Sequence, residues 1–277
     1  TEHDLFFAQG WSAARDRLFQ LELWRRQATG TMAEILGERE LERDTGARLF
    51  QFRGDLEQEL RHYHPQGVEI VGAFVQGVNA FVAMTRTDPA LLSVEFRMLG
   101  IQPGLWTPEV VISRHQGLLA NIGAELRYGR AVAVAGPETV KALAAFRPPN
   151  PNLALDPAID RAHLLANDIL GLYDAFRGSL RFRPEDIGPE FRGEGGGTEG
   201  PDQGLDRAGW PTPDEGSNNW VVSGDLSASG FPMMANDPHR AQAVPSLRSW
   251  VHLVGPGWNV IGGGEPVLPG VSIGHNE

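Results

Sequence analysis

Residues 188–216 form the segment that most restricts how this chain can fold. The segment contains nine Gly, four Pro and seven acidic residues. A stretch of this composition cannot bury enough apolar surface to offset the conformational entropy lost when it becomes ordered. We therefore predict that residues 188–216 are a spacer, and that the folded parts are built by residues 1–187 and residues 217–277.

The part before the spacer has the periodicity of helices. Along residues 3–28, large apolar residues recur at steps of three to four, and Gly30 follows as a stop signal. Thr107 and Pro108 mark the start of another helix. Pro is tolerated at the first helical position because the N–H that it lacks would have no partner there, and we expect the Thr107 side chain to accept a first-turn N–H. The pattern predicts helices over residues 3–28, 66–84, 107–134, 137–146 and 158–178.

The part after the spacer has the pattern of short strands. Apolar runs begin near Trp220, Phe231, Trp250 and Trp258, and Gly, Pro and Asn separate them. These runs predict strands joined by turns, so the whole chain is predicted to be of the α+β class. The sequence stops directly after a further strand signal at residues 271–273, from which we expect a piece of a longer protein.

Composition excludes several classes of function. The chain has no Cys, which excludes disulfide frameworks, Cys-based zinc sites and thiol nucleophiles. Its 24 Lys and Arg against 35 Asp and Glu leave a net charge of −11, which opposes binding to nucleic-acid phosphates. No uninterrupted apolar run approaches the ~18 residues that cross a bilayer, so we expect no membrane partner.

Two short motifs carry no function. Gly195, Gly197 and Gly200 have the spacing of a dinucleotide-binding loop, but no predicted strand precedes them and no helix follows. His62 and His64 form an isolated His-x-His pair, and the chain has no His-Glu-x-x-His motif, so a zinc hydrolase is not supported.

The junction between the spacer and the first predicted strand carries the candidate chemistry. Gly216 and Ser217 stand at this junction. If the bond between them is cut, Ser217 becomes an N-terminal residue with both a hydroxyl nucleophile and an α-amino base, whose pKa near ~7.7–8.0 allows it to accept the hydroxyl proton. An isolated Gly-Ser pair is more often a turn that enters a strand, so the pair alone does not decide.

Longer stretches resemble the penicillin acylase family of N-terminal nucleophile (Ntn) hydrolases. Residues 217–224, SNNWVVSG, are similar to the start of that family's β-chain, and residues 229–239, SGFPMMANDPH, to the hairpin that follows. Residues 268–277, LPGVSIGHNE, are similar to the next stretch of the family, and residues 7–22, FAQGWSAARDRLFQLE, resemble its first α-chain helix. The matches occur in the family's order with the spacer between them, and family members extend further at both ends.

This resemblance implies a fold and an activity. The fold would be the Ntn-hydrolase αββα sandwich, represented here by a helix-rich α-chain portion, a spacer that is removed, and the first strands of the β-chain. The activity would be hydrolysis of N-acylated amines such as β-lactams, acyl-homoserine lactones or acyl peptides, through an acyl ester on Ser217. Cleavage between Gly216 and Ser217 would make the α- and β-chains partners in a heterodimer, in the periplasm or outside the cell, with no cofactor required for catalysis.

The resemblance also assigns roles to single residues. His239 would hold or tune the Ser217 amine and hydroxyl, the alternative being a turn residue in Asp-Pro-His. Glu125 falls where the α-chain supplies a ligand to a structural calcium ion, the equal alternative being a solvated carboxylate at a helix end. The family's oxyanion donors would lie beyond Glu277, so we expect the isolated piece to be inactive. The residues assigned to the substrate pocket are His115, Leu118, Leu119 and Arg240.

An interpretation from another class remains open from the residues alone. In it, the chain is a non-catalytic helical binding module, residues 188–216 are a permanent tether, and Ser217 is structural. The two interpretations differ in whether the bond between Gly216 and Ser217 survives.

Overall fold

The computed structural model describes residues 1–114, 122–144, 146, 151–192, 217–238 and 244–276. The α-helices in these ranges are α1 (Glu2–Thr29), α2 (Ala33–Leu36), α3 (Leu41–Phe50), α4 (Leu56–Tyr63), α5 (Gly67–Thr87), α6 (Val94–Leu99), α7 (Pro108–Ser113), α8 (Ile122–Ala135), α9 (Pro137–Leu143), α10 (Arg161–Ala166) and α11 (Gly171–Arg177). The strands are β1 (Asn218–Val222), β2 (Met233–Asp237), β3 (Ser249–Gly255), β4 (Trp258–Gly264) and β5 (Ile273–Asn276).

The α+β class predicted from the sequence is confirmed. Helices occupy the described part before residue 193, and the strands that follow pair in two antiparallel sheets. The first sheet is the β1–β2 hairpin, and the second has the order β3–β4–β5. Because both sheets are built from neighbouring strands, short connections suffice to form them.

The helices predicted over residues 3–28 and 66–84 are confirmed as α1 and α5. Gly30 ends α1 with a φ of 62°, a left-handed conformation that suits Gly, and its N–H bonds the Arg26 carbonyl. Thr1 is the N-cap of α1, since its hydroxyl accepts the Asp4 N–H and the Asp4 carboxylate accepts from the Thr1 backbone nitrogen.

Two other helix predictions have different outcomes, and the cap expected at Thr107 needs correction. The helix predicted over residues 107–134 is described as α7 and α8, with residues 115–121 outside the described ranges. The expected cap is wrong, because the Thr107 side chain makes no capping bond and its carbonyl accepts the Val110 N–H instead, at 3.0 Å. The helix predicted over residues 158–178 is two helices, α10 and α11. Asn167 ends α10 in an extended conformation with a ψ of 148°, and both its backbone N–H and its side chain donate to the His163 carbonyl.

The helices α1 and α5 cross at closely approaching backbones. A Cβ atom on Gly10 would lie 2.0 Å from the Phe74 carbonyl oxygen, and one on Gly77 would lie 2.0 Å from the Phe7 carbonyl oxygen. Each helix therefore presents Gly where the other helix's backbone passes. The buried residues of the main core around this crossing include Leu18, Leu21, Trp24, Phe74, Val78, Val82, Trp106, Val111 and Val267.

The apolarity of α5 exceeds what the sequence analysis expected. By length and composition alone this helix could cross a membrane, because isolated polar residues such as Gln76 and Asn79 interrupt its apolar runs without making it polar overall. In the structure, 56% of its most apolar window is buried inside the protein. Its place against α1 in the core accounts for this composition.

A buried carboxylate joins α1 to the segment before α7. Glu22 is 1% exposed and accepts hydrogen bonds from Arg25 at 2.8 Å, from Arg26 at 2.7 Å and from the Gly104 N–H at 2.9 Å. The hydrogen bond that Arg25 donates to Glu22 also raises the pKa of the Arg25 guanidinium, which stays charged. Because a buried carboxylate is costly unless its oxygens are satisfied, these bonds fix the position of Gly104 against α1.

The second sheet packs its inner face on the helices. Leu253 of β3 is buried with Phe6 of α1 and with Ile70 and Ala73 of α5. On the opposite face of β3, Trp250 is 81% exposed. The alternation along β3 is the expected pattern of a strand with one buried face.

The beginning of the predicted spacer is part of the described structure. Residues Pro189–Phe191 form a short 3₁₀ helix, and the Gly188 N–H donates to the Met98 carbonyl at 2.8 Å. The rest of the predicted spacer, from residue 193 to residue 216, lies outside the described ranges. The boundaries at 187 and 216 stay predictions.

Replacing Gly10 by Ala tests the helix crossing. The added methyl group overlaps the Phe74 carbonyl, so Gly10→Ala should lower the free energy of unfolding by about 3 kcal/mol. Gly72→Ala on α5 is the matched control: a Cβ there meets nothing within 4 Å, and the change should be neutral or stabilising by up to about 1 kcal/mol. Chemical denaturation measures both, and equal effects would contradict the close crossing.

Candidate functional site

Ser217 stands directly before β1 and is exposed. The antiparallel pairing of β1 with β2 sets Asn218 opposite Asp237 and Asn219 opposite Asn236. Pro238 follows β2 directly, so Ser217 and Pro238 occupy the same end of the hairpin. The strand ladder thus fixes the residues that follow the candidate nucleophile while leaving the serine itself at the surface.

The far end of this hairpin is tied by local bonds. The Ser227 hydroxyl donates to the Phe231 carbonyl at 2.7 Å, and Gly230 takes a φ of 74°. Between the ends, the hairpin is apolar and exposed: Trp220 is 56% exposed and Met234 64%. These bonds and the β1–β2 ladder hold the hairpin together.

Most of the residues predicted for the site lie outside the described ranges. They are Gly216, His239, Arg240, His115, Leu118 and Leu119. Ser217 and Glu125 are described. The roles assigned to the six others stay predictions, as does their approach to Ser217.

Glu125 lies in the first turn of α8 and is exposed. Calcium takes six to eight oxygen ligands. Among the described residues no group of three or more His, Asp or Glu could hold a metal ion. Glu125 can supply one carboxylate, and its role as a calcium ligand stays a prediction.

A cleft of about 550 Å³, here called the polar cleft, lies between α1, the second sheet and the turn before β5. Sequence analysis missed this cleft, because its two walls are more than 200 residues apart in the chain. Its polar and charged lining residues are Gln9, Ser12, Asp16, Arg17, Arg248, Ser249, His252 and Glu265.

A second, apolar cavity of about 380 Å³ lies beside the cleft. The Tyr63 hydroxyl at its edge donates to the Glu59 carboxylate, which raises the pKa of Tyr63 and keeps the phenol neutral. Leu268 and Gly270 line both spaces, so the turn that contains them is a shared wall. The apolar lining residues include Phe6, Leu60, Ile70, Val111, Trp258 and Pro269.

Three polar side chains of α1 join the helical part to the strands. The Trp258 indole donates to Glu2 at 2.8 Å, and Arg17 donates to the Ser246 carbonyl at 2.8 Å. Between them, Gln9 makes two bonds with Gly270. Residues 2, 9 and 17 recur at about two helical turns, so they share one face of α1, a spacing that was readable in the sequence but had no assigned partner.

Comparison with known proteins identifies a single family. The family model for penicillin amidase matches residues 1–277. Penicillin acylase 2 proenzyme of Pseudomonas sp. (strain SE83) is 30% identical over 279 residues, which cover 99% of this chain and 33% of that protein. Penicillin G acylase of Escherichia coli is 26% identical over 308 residues, covering 98% of this chain and 35% of that protein.

Another relative has a different named substrate. Acyl-homoserine lactone acylase QuiP of Pseudomonas aeruginosa is 29% identical over 284 residues, covering 100% of this chain and 30% of that protein. The chain thus spans about a third of the length of these curated relatives. Among solved structures, a thermostable penicillin G acylase from Alcaligenes faecalis matches 52% of this chain and 80% of its own, at 26% identity and a TM-score of 0.43.

Proposed function

The chain belongs to the penicillin amidase family, and we propose that the protein is an acylase that hydrolyses the amide bond of N-acylated substrates through Ser217. The observation that carries this proposal is the family match over the whole chain, with Ser217 directly before the first strand. The relatives named as penicillin and acyl-homoserine lactone acylases support N-acylated amines as the substrate class. The amine and the acyl group are left open.

In the first proposed step the chain cuts itself. The Ser217 oxygen attacks the Gly216 carbonyl carbon; the C–N bond between the two residues breaks as the C–O ester bond forms, and the freed nitrogen takes up the hydroxyl proton. Water then hydrolyses the ester, which releases Gly216 as a carboxylate and Ser217 with a free α-amino group. Gly216 assists because a residue without a side chain lets the peptide bend into reach.

In the second step the same hydroxyl attacks a substrate. The α-amine of Ser217 accepts the hydroxyl proton while the oxygen bonds to the acyl carbon of the amide. The amine leaves with that proton, and an acyl ester remains on Ser217. Water hydrolyses the ester to the free acid and restores the serine. The pairing of Asn218 with Asp237 supports this role, since a strand ladder would hold the new chain start in place.

We propose His239 as a positioning residue for Ser217. Pro238 lies at the same end of the hairpin as Ser217, and His239 is the next residue in the sequence. A ring nitrogen at this point could orient the α-amine or the hydroxyl, as a second group does in other activated nucleophiles.

Substitution of Ser217 tests the cleavage. In the full-length protein, Ser217→Ala should leave the chain uncut and inactive, whereas Ser217→Cys should still be cut because a thiol can make the same first attack. Ser93→Ala, at an exposed serine without a capping bond, is the control and should be processed normally. Intact mass and N-terminal sequencing should show a new chain that begins Ser-Asn-Asn-Trp.

Two outcomes would count against this proposal. A single uncut chain with acylase activity would overturn the mechanism, because Ser217 would then have no α-amino group. A single uncut chain without activity would favour the binding-module interpretation.

Substitution of His239 tests the positioning role. His239→Ala in the full-length protein should lower kcat on the order of 10²-fold while leaving the melting temperature nearly unchanged, because the ring acts on the barrier. His62→Ala, at an exposed His on α4, is the control and should leave kcat unchanged. Wild-type kcat at saturating substrate in His239→Ala would make His239 a turn residue.

We also propose that Glu125 is one ligand of a structural calcium ion in the full-length protein. A chelator should then lower the melting temperature of the wild type and have a smaller effect on Glu125→Gln. Glu138→Gln, at an exposed Glu on α9, should respond like the wild type. An equal response of wild type and Glu125→Gln would assign Glu125 to the solvated surface.

A further inference from the structure

The bonds between Gln9 and Gly270 have the form of a peptide pair. The Gln9 amide nitrogen donates to the Gly270 carbonyl at 2.9 Å, and the Gly270 N–H donates to the Gln9 amide oxygen at 2.9 Å. One side chain thus satisfies both backbone groups of a single residue 261 positions away. A side-chain amide can do this because it carries the same donor and acceptor as a peptide group.

Gly270 needs such support because of its place in the chain. It lies in the turn between β4 and β5 with a φ of 89°, a conformation that L side chains rarely adopt. A Cβ atom there would meet none of the described residues within 4 Å, so the backbone angle and not lack of space calls for Gly. Val267, in the same turn, is anchored in the main core, whereas residue 270 has no ladder partner among the described strand pairs. The two bonds to Gln9 therefore hold this part of the turn against α1.

The same turn is the shared wall of the two concave spaces. Leu268 and Gly270 line both the polar cleft and the apolar cavity. The turn also leads into β5, where Ile273 pairs with Gly263 and Gly274 with Gly262. A shift of residue 270 would therefore change the shape of both spaces and the start of β5.

We propose that Gln9 is a positioning residue for the proposed amide hydrolysis. Its two hydrogen bonds with Gly270, here called the clamp, hold the turn that forms a wall of the cleft and leads into β5. This inference rests on the proposed function. It also gives the clamp a second consequence, because Gln9 and Gly270 lie on opposite sides of the bond between Gly216 and Ser217. After cleavage, the clamp would join the α-chain to the β-chain and fix their relative position.

The effect of the clamp is on orientation, not on chemistry. Gln9 does not contact the reacting atoms in this proposal. Misplacing a supporting backbone by about 1 Å can cost on the order of 10²-fold in rate even when the catalytic groups are intact. We therefore expect loss of the clamp to lower kcat more than it raises KM.

Two variants of the full-length protein distinguish the loss of the hydrogen bonds with Gly270 from a change in side-chain volume. Gln9→Leu keeps a similar volume and removes both bonds. Gln9→Glu keeps the acceptor for the Gly270 N–H, but its ionised form has no proton to donate to the Gly270 carbonyl. The protonated form restores both bonds, because its carbonyl oxygen accepts and its O–H donates.

The direction of the pH effect follows from this difference. In the ionised form of Gln9→Glu, a carboxylate oxygen faces the Gly270 carbonyl oxygen, and both atoms are acceptors. This contact favours the protonated form and raises the pKa of the introduced carboxyl group above the ordinary value for Glu. The clamp in Gln9→Glu is then present at low pH and lost as pH rises through that raised pKa. The ratio of variant to wild-type kcat should rise as pH falls from about 8 to about 5, since the other charged groups of the cleft are common to both proteins. Those groups are Asp16, Arg17, Arg248, His252 and Glu265.

The measurements are kcat, KM and backbone amide exchange of the peptide that covers residues 268–272. In Gln9→Leu, kcat should fall about 10- to 100-fold with KM changed less than threefold, and exchange at Gly270 should become about tenfold faster. Gln58→Glu, the same chemical change at an exposed site on α4, is the control and should follow the wild-type pH profile.

The outcomes distinguish this inference from the proposed function. Unchanged exchange at Gly270 in Gln9→Leu would overturn the clamp, whether or not the wild type is an enzyme. Faster exchange with wild-type kcat and KM would overturn the positioning role. If Gln9→Leu fails to fold, a flat ratio of Gln9→Glu to wild type across pH would overturn the inference. An uncut and inactive wild type would defeat the proposed function instead.

Discussion

The close crossing of α1 and α5 is the contact on which the rest of the structure depends. Gly10 and Gly77 allow each helix to pass against the other's backbone, and the main core surrounds that point. Dense packing transmits small displacements, so a change in this crossing would move the elements that rest on α1. Both the Glu22 network and the second sheet rest on this helix.

A single helix therefore serves two interfaces. One side of α1 enters the helical core, while Glu2, Gln9 and Arg17 on another side bond the strand-rich part. The apolar contact of Phe6 with Leu253 reinforces these bonds. In the proposed processed enzyme this face would hold two separate chains together. The polar bonds would fix the relative position of the chains, and the apolar contact would supply most of the affinity.

The candidate nucleophile belongs to the other sheet, the β1–β2 hairpin. Ser217 opens an exposed hairpin, whereas the cleft and the apolar cavity lie between α1 and the second sheet. A serine that must first attack its own chain needs an accessible peptide bond, and a substrate site needs fixed walls. The exposure of Ser217 fits the proposed sequence of cleavage followed by catalysis.

The sequence by itself determined the helices α1 and α5, the strands, the α+β class and the family, because periodicity and motif residues are local properties. It did not reveal that the helix predicted over residues 158–178 is interrupted at Asn167, which takes an extended backbone conformation. Only the tertiary structure decided the partners of Gln9 and Glu22. Their bonds join segments up to 261 residues apart, and which distant backbone meets a polar side chain depends on how the helices pack.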